Sequence, residues 1–124
     1  MPLLHPADHP SFKFSGTSFT GLAAPSRGAS ETAAWRVRVE PGTPETPHRI
    51  TREEIIIALA GRARATVDGQ LHELETGGTL IVPASSTLAL GNPYDAAFEA
   101  IAIYPVGGEV VVGSAAPFTP PWAL

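Results

Sequence analysis

Hydrophobic and polar positions alternate along much of this chain, which is the period of a β-strand with one buried face. The order Trp-Arg-Val-Arg-Val at residues 35–39 alternates strictly between apolar and charged side chains, and Pro41-Gly42 ends that predicted strand, which begins at Ala34. The apolar run at residues 55–59 is too short and too rich in β-branched side chains for a helix. It predicts a strand that is buried on both faces.

More short strands are predicted downstream, and an irregular arm with one or two edge strands is predicted over residues 1–27. Asp68-Gly69 has the composition of a two-residue hairpin turn, so it joins the predicted strands at 63–67 and 70–74. The other predicted strands are 79–82, 87–90, 98–104 and 110–112. Short strands with Gly or Pro at the corners, and no amphipathic helix, predict an all-β antiparallel sandwich or barrel of jelly-roll type.

Composition narrows the function classes. A chain of 124 residues predicts one domain, and its 13 prolines favour short strands with abrupt turns. The net charge of -4 and the absence of a basic cluster make nucleic acid an unexpected partner. Without cysteine the chain has no disulfide, thiolate metal site or cysteine nucleophile, so any metal must be held by histidine and carboxylate.

The sequence predicts a soluble, cytoplasmic protein with no membrane partner. Its longest apolar stretch, residues 55–60, is much shorter than the roughly 18 to 20 residues of a membrane span. Residues 1–10 lack the charged and apolar regions of a secretory signal. A single lysine, Lys13, among plentiful Arg, Ala and Gly is typical of a GC-rich bacterial genome.

Gly42, His48, Glu54 and Gly61 are separated by five, five and six residues. This spacing resembles the first of two motifs of the cupin superfamily, in which a Gly is followed after five residues by His-x-His, then by Glu and a further Gly. Ile50 occupies the place of the second His.

The second motif runs Gly, five residues, Pro-x-Gly, two residues, His, three residues, Asn. Gly77, Pro83 and Asn92 match it, while Ser85 replaces the Gly and Leu88 replaces the His. The two motifs lie in register over about half of the chain, which is more specific than either motif alone.

The resemblance implies a small, single-domain cupin barrel. The expected parts are an N-terminal arm at 1–33, a barrel core at 34–113 with motifs at 42–61 and 77–92, and a Pro-rich tail at 114–124. An open cupin sheet has edges that need covering, and the arm and tail are suited to crossing onto a partner. A homodimer is therefore expected.

Complete cupins hold a divalent metal with three His and one Glu. The resemblance maps His48 and Glu54 onto retained ligands, and Ile50 and Leu88 onto apolar replacements. One imidazole and one carboxylate leave most of the coordination to water, so no metal cofactor is expected. The alternative is an atypical site made of His48, Glu54 and His72, which shares strand parity with a predicted core position.

His48 and Glu54 are the candidate catalytic residues. If both point into the barrel they form a ligand-binding or acid/base pair; otherwise they are satisfied by a hydrogen bond or water. Strand parity sends only one of Glu53 and Glu54 inward, and the motif spacing selects Glu54. The residues expected to line the pocket are Ile50, Leu88, Ile56, Trp35, Phe98 and Tyr104.

Alternate arginines mark two predicted strands, Arg36 with Arg38 and Arg62 with Arg64. They are typical of a solvated face, but turned inward they would form an anion site for a carboxylate ligand. Trp122 is expected to anchor the tail on its own barrel or on that of a partner.

Three functions remain open at this level. The first is a protein that binds a small organic metabolite in an apolar pocket and performs metal-independent cyclisation or isomerisation with His48 and Glu54. The second is a metal-dependent oxygenase or isomerase with the atypical ligand set. The third is a non-catalytic small-molecule binding module, and fold alone does not choose among them.

Overall fold

The computed structural model describes residues 3–124, which form two packed antiparallel β-sheets without an α-helix. Within those residues, no helix has the length and apolar character needed to cross a membrane. Three single-turn 3-10 helices lie at Pro6–Asp8, Pro25–Arg27 and Pro121–Ala123. The strands are β1 (Ser11–Phe14), β2 (Thr17–Ala23), β3 (Thr32–Val39), β4 (His48–Ile50), β5 (Glu54–Ala60), β6 (Arg62–Val67), β7 (Gln70–Glu75), β8 (Thr79–Val82), β9 (Thr87–Gly91), β10 (Phe98–Pro105) and β11 (Val110–Val111).

The six-stranded sheet has the order β1-β2-β3-β10-β5-β8, and the five-stranded sheet has the order β11-β4-β9-β6-β7. Neighbours that are distant in sequence, such as β3 with β10 and β4 with β9, give the jelly-roll connectivity predicted above. The alternation in β3 gives one buried and one exposed face, as predicted from its period of two. Trp35, Val37 and Val39 are buried between the sheets, while Arg36 and Arg38 are exposed.

Several turns and motif positions have a backbone with positive φ. Asp68 and Gly69 both have positive φ, as the predicted two-residue hairpin requires. Gly61 also has positive φ, and a Cβ there would collide with the carbonyl oxygen of Ala97. Ser85, which replaces the motif Gly, keeps a left-handed φ of 67°. These positions shape corners of the barrel.

Asn92, the last residue of the second motif, is also structural. It is fully buried, and its side-chain amide donates to the carbonyl oxygens of Val39 (3.0 Å) and Ala96 (2.8 Å). Its side-chain oxygen accepts from the backbone N–H of Tyr94 at 3.0 Å. Asn92 therefore supplies hydrogen-bond partners to backbone groups around the turn between β9 and β10.

Two expectations about the strands differ from the structure. The run at 55–59 is not buried on both faces: Ile55 and Ile57 are half-buried and Leu59 is 40% exposed. No further layer of the described chain covers the outside of the six-stranded sheet, so one face of β5 meets solvent. Strand β4 was not predicted, because three residues carry too little periodicity to identify a strand.

The outer face of the six-stranded sheet carries contiguous isoleucines. Ile103 and Ile101 of β10 lie beside Ile55 and Ile57 of β5, and Ile81 of the edge strand β8 lies beside Ile55. Ile81 is 60% exposed. Isoleucines of this kind, next to an unpaired strand edge, are suited to a two-fold contact with the same face of a second copy.

We expect the natural chain to be a homodimer at micromolar concentration and Ile81→Glu to shift it toward monomer, because the variant buries a charge at the contact. Light scattering would measure both. Leu71→Glu is the matched control, since Leu71 is 55% exposed but belongs to β7 of the other sheet. A monomeric natural chain, or equal dissociation by both variants, would contradict this interface.

Candidate functional site

A cavity of about 680 Å³ lies between the two sheets. This volume falls within the range of about 300 to 1,000 Å³ that is common for small-molecule sites. Most side chains on its wall are aliphatic or aromatic. Within residues 3–124, the ionisable side chains on the wall other than tyrosine are those of His48 and Glu54.

Glu54 begins β5 and stands opposite Val82 of β8, so the six-stranded sheet holds it in place. Its side chain is on the cavity wall, yet the residue is only 7% exposed. Within residues 3–124 no hydrogen bond or ion pair reaches its carboxyl group. Burial among apolar side chains disfavours the charged carboxylate and raises the pKa of Glu54 to about 7.

His48 faces the same cavity from the five-stranded sheet, where it begins β4 and pairs with Leu88 of β9. Its Nδ1 lies 3.4 Å from the carbonyl oxygen of Thr46. Burial lowers the pKa of His48 below its ordinary value, which favours the neutral imidazole. The two candidate groups thus share a cavity, but no direct hydrogen bond joins His48 to Glu54.

Of the six side chains that were expected to line the pocket, four lie on the cavity wall and two do not. Ile50 and Phe98 are fully buried but do not reach the cavity wall. Ile50 is enclosed where β4 meets the turn at residues 85–86, and Phe98 fills the core at the far end of β10 from Tyr104. The four that lie on the wall are Trp35, Ile56, Leu88 and Tyr104.

The hydroxyl of Tyr104 forms hydrogen bonds with three backbone groups. It donates to the carbonyl oxygen of Glu109 at 2.7 Å and accepts from the N–H groups of Thr51 (3.1 Å) and Arg52 (3.2 Å). With these bonds made, the hydroxyl has no remaining proton for a ligand. Tyr104 contributes its ring to the wall and holds two loops together.

The residues present do not match the metal site of a complete cupin. Ile50 and Leu88 carry no donor atoms, which leaves one imidazole and one carboxylate on the wall. His72 stands in β7 opposite Ala65 and is not part of the wall. Across residues 3–124, no three His, Cys, Asp or Glu side chains are placed to hold a metal ion.

The arginines lie outside the cavity. Arg36 and Arg38 are exposed, each within 3.8 Å of an acidic side chain on the outer surface. The guanidinium groups of Arg62 and Arg64 lie 3.8 Å and 6.0 Å from the ring centre of Tyr94, also on the outside. The inward anion site considered for these side chains is therefore not formed.

Sequence reasoning missed an aromatic cluster at one end of the cavity, made of Phe14, Phe19, Trp35 and Trp122, hereafter the aromatic end. Trp122 stacks on Phe19 with ring centres 3.7 Å apart and planes 1° apart. The rings of Phe14 and Trp35 approach Trp122 edge-on at 5.7 Å and 6.4 Å. The signal was aromatic residues in the arm and tail, but nothing in the order of residues showed that they meet.

The tail reaches this position by folding onto its own barrel. The backbone of Phe118 exchanges two hydrogen bonds with Val110, at 2.8 Å and 3.1 Å. The carbonyl oxygen of Leu124 accepts from the hydroxyl of Ser26 at 2.6 Å. Trp122 therefore anchors the tail within one chain in this structure.

The chain is similar to known proteins in sequence and in structure. A family model described as Cupin domain matches residues 35–104. No curated protein sequence matches the chain significantly.

Among solved structures, the polyketide cyclase RemF from Streptomyces resistomycificus is similar at a TM-score of 0.77 and 18% identity, covering 94% of this chain and 87% of RemF. KdgF from Halomonas sp. matches with a TM-score of 0.71 and 16% identity over 84% of this chain and 94% of KdgF. The DMSP lyase DddQ from Ruegeria pomeroyi DSS-3 has a TM-score of 0.59 and 25% identity over 73% of this chain, which spans 43% of DddQ.

Proposed function

The chain belongs to the Cupin domain family, and from that premise we propose that it binds a small organic molecule in the apolar cavity and uses Glu54 to move a proton on it. One observation carries this proposal. The carboxyl group of Glu54, only 7% exposed and without a hydrogen bond or ion pair among the described residues, lies on the wall of a mainly apolar cavity. A buried polar group that lacks a hydrogen-bond partner costs stability, and groups held at such a cost cluster at functional sites.

The position suits acid/base chemistry. With its pKa raised to about 7 by burial, Glu54 is present in both protonated and ionised forms near neutral pH. The carboxylate can remove a proton from a carbon or hydroxyl of the ligand, and the resulting acid can return it elsewhere. Neutral His48, on the opposite wall, can donate or accept a second hydrogen bond.

Removal and return of a proton is the chemistry of isomerisation and of many cyclisations. RemF, which is described as a polyketide cyclase, has a similar fold. That likeness supports cyclisation as one form of the proposed activity.

A general base in an apolar cavity is expected to catalyse the ring opening of nitrobenzisoxazole, a neutral planar probe. Glu54 takes the ring C–H proton, the N–O bond breaks, and its electron pair leaves on the phenolate oxygen as a nitrile forms. The coloured phenolate gives the rate. We expect the rate to rise with pH through about 7, the raised pKa of Glu54, and Glu54→Gln to reduce it at least about a hundredfold.

Glu53→Gln is the matched control, because Glu53 is the exposed neighbour of Glu54 and should leave the rate unchanged. A rate that is equal in the natural chain and Glu54→Gln would overturn the catalytic role of Glu54. The chain would then be better described as a binding module.

The metal-dependent alternative makes a different prediction. An oxygenase or isomerase that used His48 and Glu54 as ligands would retain near-stoichiometric first-row metal after purification without a nickel column. The donor set on the cavity wall favours the metal-independent reading.

A further inference from the structure

The part of the cavity wall that the structure describes offers no positive charge to a ligand. Neither arginine nor lysine lines it among residues 3–124, and its one acidic group is Glu54. A phosphate or carboxylate ligand would lose its hydration there without gaining a counter-charge, and it would repel the ionised form of Glu54. The wall therefore selects for an uncharged ligand.

The aromatic end adds a preference of shape. Its four rings belong to separate parts of the fold: Phe14 to β1, Phe19 to β2, Trp35 to β3 and Trp122 to the tail. Trp122 joins them, since the other three rings lie 3.7 to 6.4 Å from its own ring. Ring surfaces brought together in this way favour stacked and edge-on contacts with another planar π system.

Together these features point to a ligand class and to the residue that selects it. We infer that the cavity binds an uncharged molecule with a planar aromatic portion, and that Trp122 is a specificity-determining residue that packs against that portion. The inference rests on the proposed function, because it concerns the ligand on which Glu54 acts. Glu54 and the aromatic end line the same cavity, so one ligand can meet both.

Calorimetry with three related probes tests the inference. Naphthol is planar and uncharged at neutral pH, decahydronaphthol is its saturated counterpart, and naphthoate is its anionic counterpart. We expect the natural chain to bind naphthol roughly tenfold more tightly than decahydronaphthol. Naphthoate should bind more weakly than naphthol, since no arginine or lysine of the described residues lines the wall.

Three variants assign the preference to Trp122. Trp122→Leu should lower naphthol affinity by roughly tenfold and abolish the discrimination against decahydronaphthol, while Trp122→Phe should retain most of both. Tyr94→Leu is the matched control, because Tyr94 is an aromatic residue outside the cavity. The conservative Phe variant separates loss of a ring from loss of the folded tail.

Equal affinity for naphthol and decahydronaphthol in the natural chain would overturn the aromatic preference, and equal losses in Trp122→Leu and Tyr94→Leu would overturn the role of Trp122. Stronger binding of naphthoate would overturn the preference for an uncharged ligand. In each case a Glu54-dependent ring opening of nitrobenzisoxazole would leave the proposed function standing. Failure of every probe to bind, with no Glu54-dependent rate, would remove both.

Discussion

The double variant Ile50→His, Leu88→His is expected to bind a divalent first-row metal more tightly than the natural chain does. The gain in binding free energy should be about 3 kcal/mol or more, which is a factor above about a hundred in affinity. Leu88 stands directly opposite His48 across β4 and β9, and both side chains lie on the cavity wall with Glu54. Side chains paired across strands have Cβ atoms about 4.5 to 5.5 Å apart, which suits two imidazoles on one metal. Imidazole and carboxylate are donors that such metals prefer.

The two substitutions should not contribute equally. Leu88 already lies on the cavity wall, whereas Ile50 is fully buried away from it. Leu88→His alone should therefore give most of the gain, with His48 and Glu54 as the other ligands. Each new imidazole costs roughly 1 to 3 kcal/mol while it lacks a partner, so the metal-free variants should melt at lower temperature and recover when metal is added.

Metal content after purification without a nickel column, and thermal shifts with added metal, would measure the effect. The natural chain should contain well under one equivalent. Leu90→His is the matched control, because Leu90 lines the same cavity from β9 but is not the partner of His48. If the double variant folds but behaves like this control, position 88 does not converge with His48 and Glu54, and the motif register predicted from the sequence is wrong.

Glu54 should make the protein less stable as the pH rises toward neutrality. Its pKa is about 7 in the folded chain against an ordinary value of 4.5, so the folded state holds the proton more tightly than the unfolded state. The stability that this provides is fully present below pH 4.5 and is lost as the pH rises through about 7. At about 1.4 kcal/mol per pH unit, the loss amounts to about 3 kcal/mol.

Denaturant unfolding of the natural chain and of Glu54→Gln across this range would isolate the contribution. The free energy of unfolding of the variant, relative to the natural chain, should rise by about 3 kcal/mol between acid and mildly alkaline pH. His48, whose pKa is lowered by burial, acts in the opposite sense and destabilises the folded state as the pH falls. It is present in both proteins, so it cancels in the difference.

Glu53→Gln supplies the control, since Glu53 is exposed and should show no such pH-dependent difference. A flat difference for Glu54→Gln would show that water or a neighbouring group relieves the burial of its carboxyl. The acid/base proposal would then lose its main electrostatic support.

Local features of the sequence were enough to predict much of the fold. Alternation at 35–39 predicted a strand with one buried face, and Asp68-Gly69 predicted the hairpin, because side-chain period and turn conformation depend on near neighbours. The motif spacings predicted the cupin barrel, and the match to the Cupin domain family model confirms this prediction. They also directed attention to His48 and Glu54, which line the same cavity from opposite sheets.

What depends on contacts between distant residues came only from the tertiary structure. The outer face of β5 is half-exposed because no other layer of the described chain packs on it, and strand period cannot reveal whether such a layer exists. Ile50 shares strand parity with His48 but is enclosed by the turn at residues 85–86. Parity decides which side of a strand a residue occupies and leaves open whether it meets a cavity or the packed core.

The aromatic end shows the same limit most clearly. Trp122 stacks on Phe19 although the two residues lie near opposite ends of the sequence, because the tail folds back over the barrel. In the sequence both are apolar residues in loop-rich segments. Rules based on periodicity or turn composition concern near neighbours, so they do not relate Phe19 to Trp122. The sequence by itself predicted the barrel and an inward-facing carboxyl group at Glu54. The tertiary structure decided which side chains line the cavity, because enclosure depends on long-range packing.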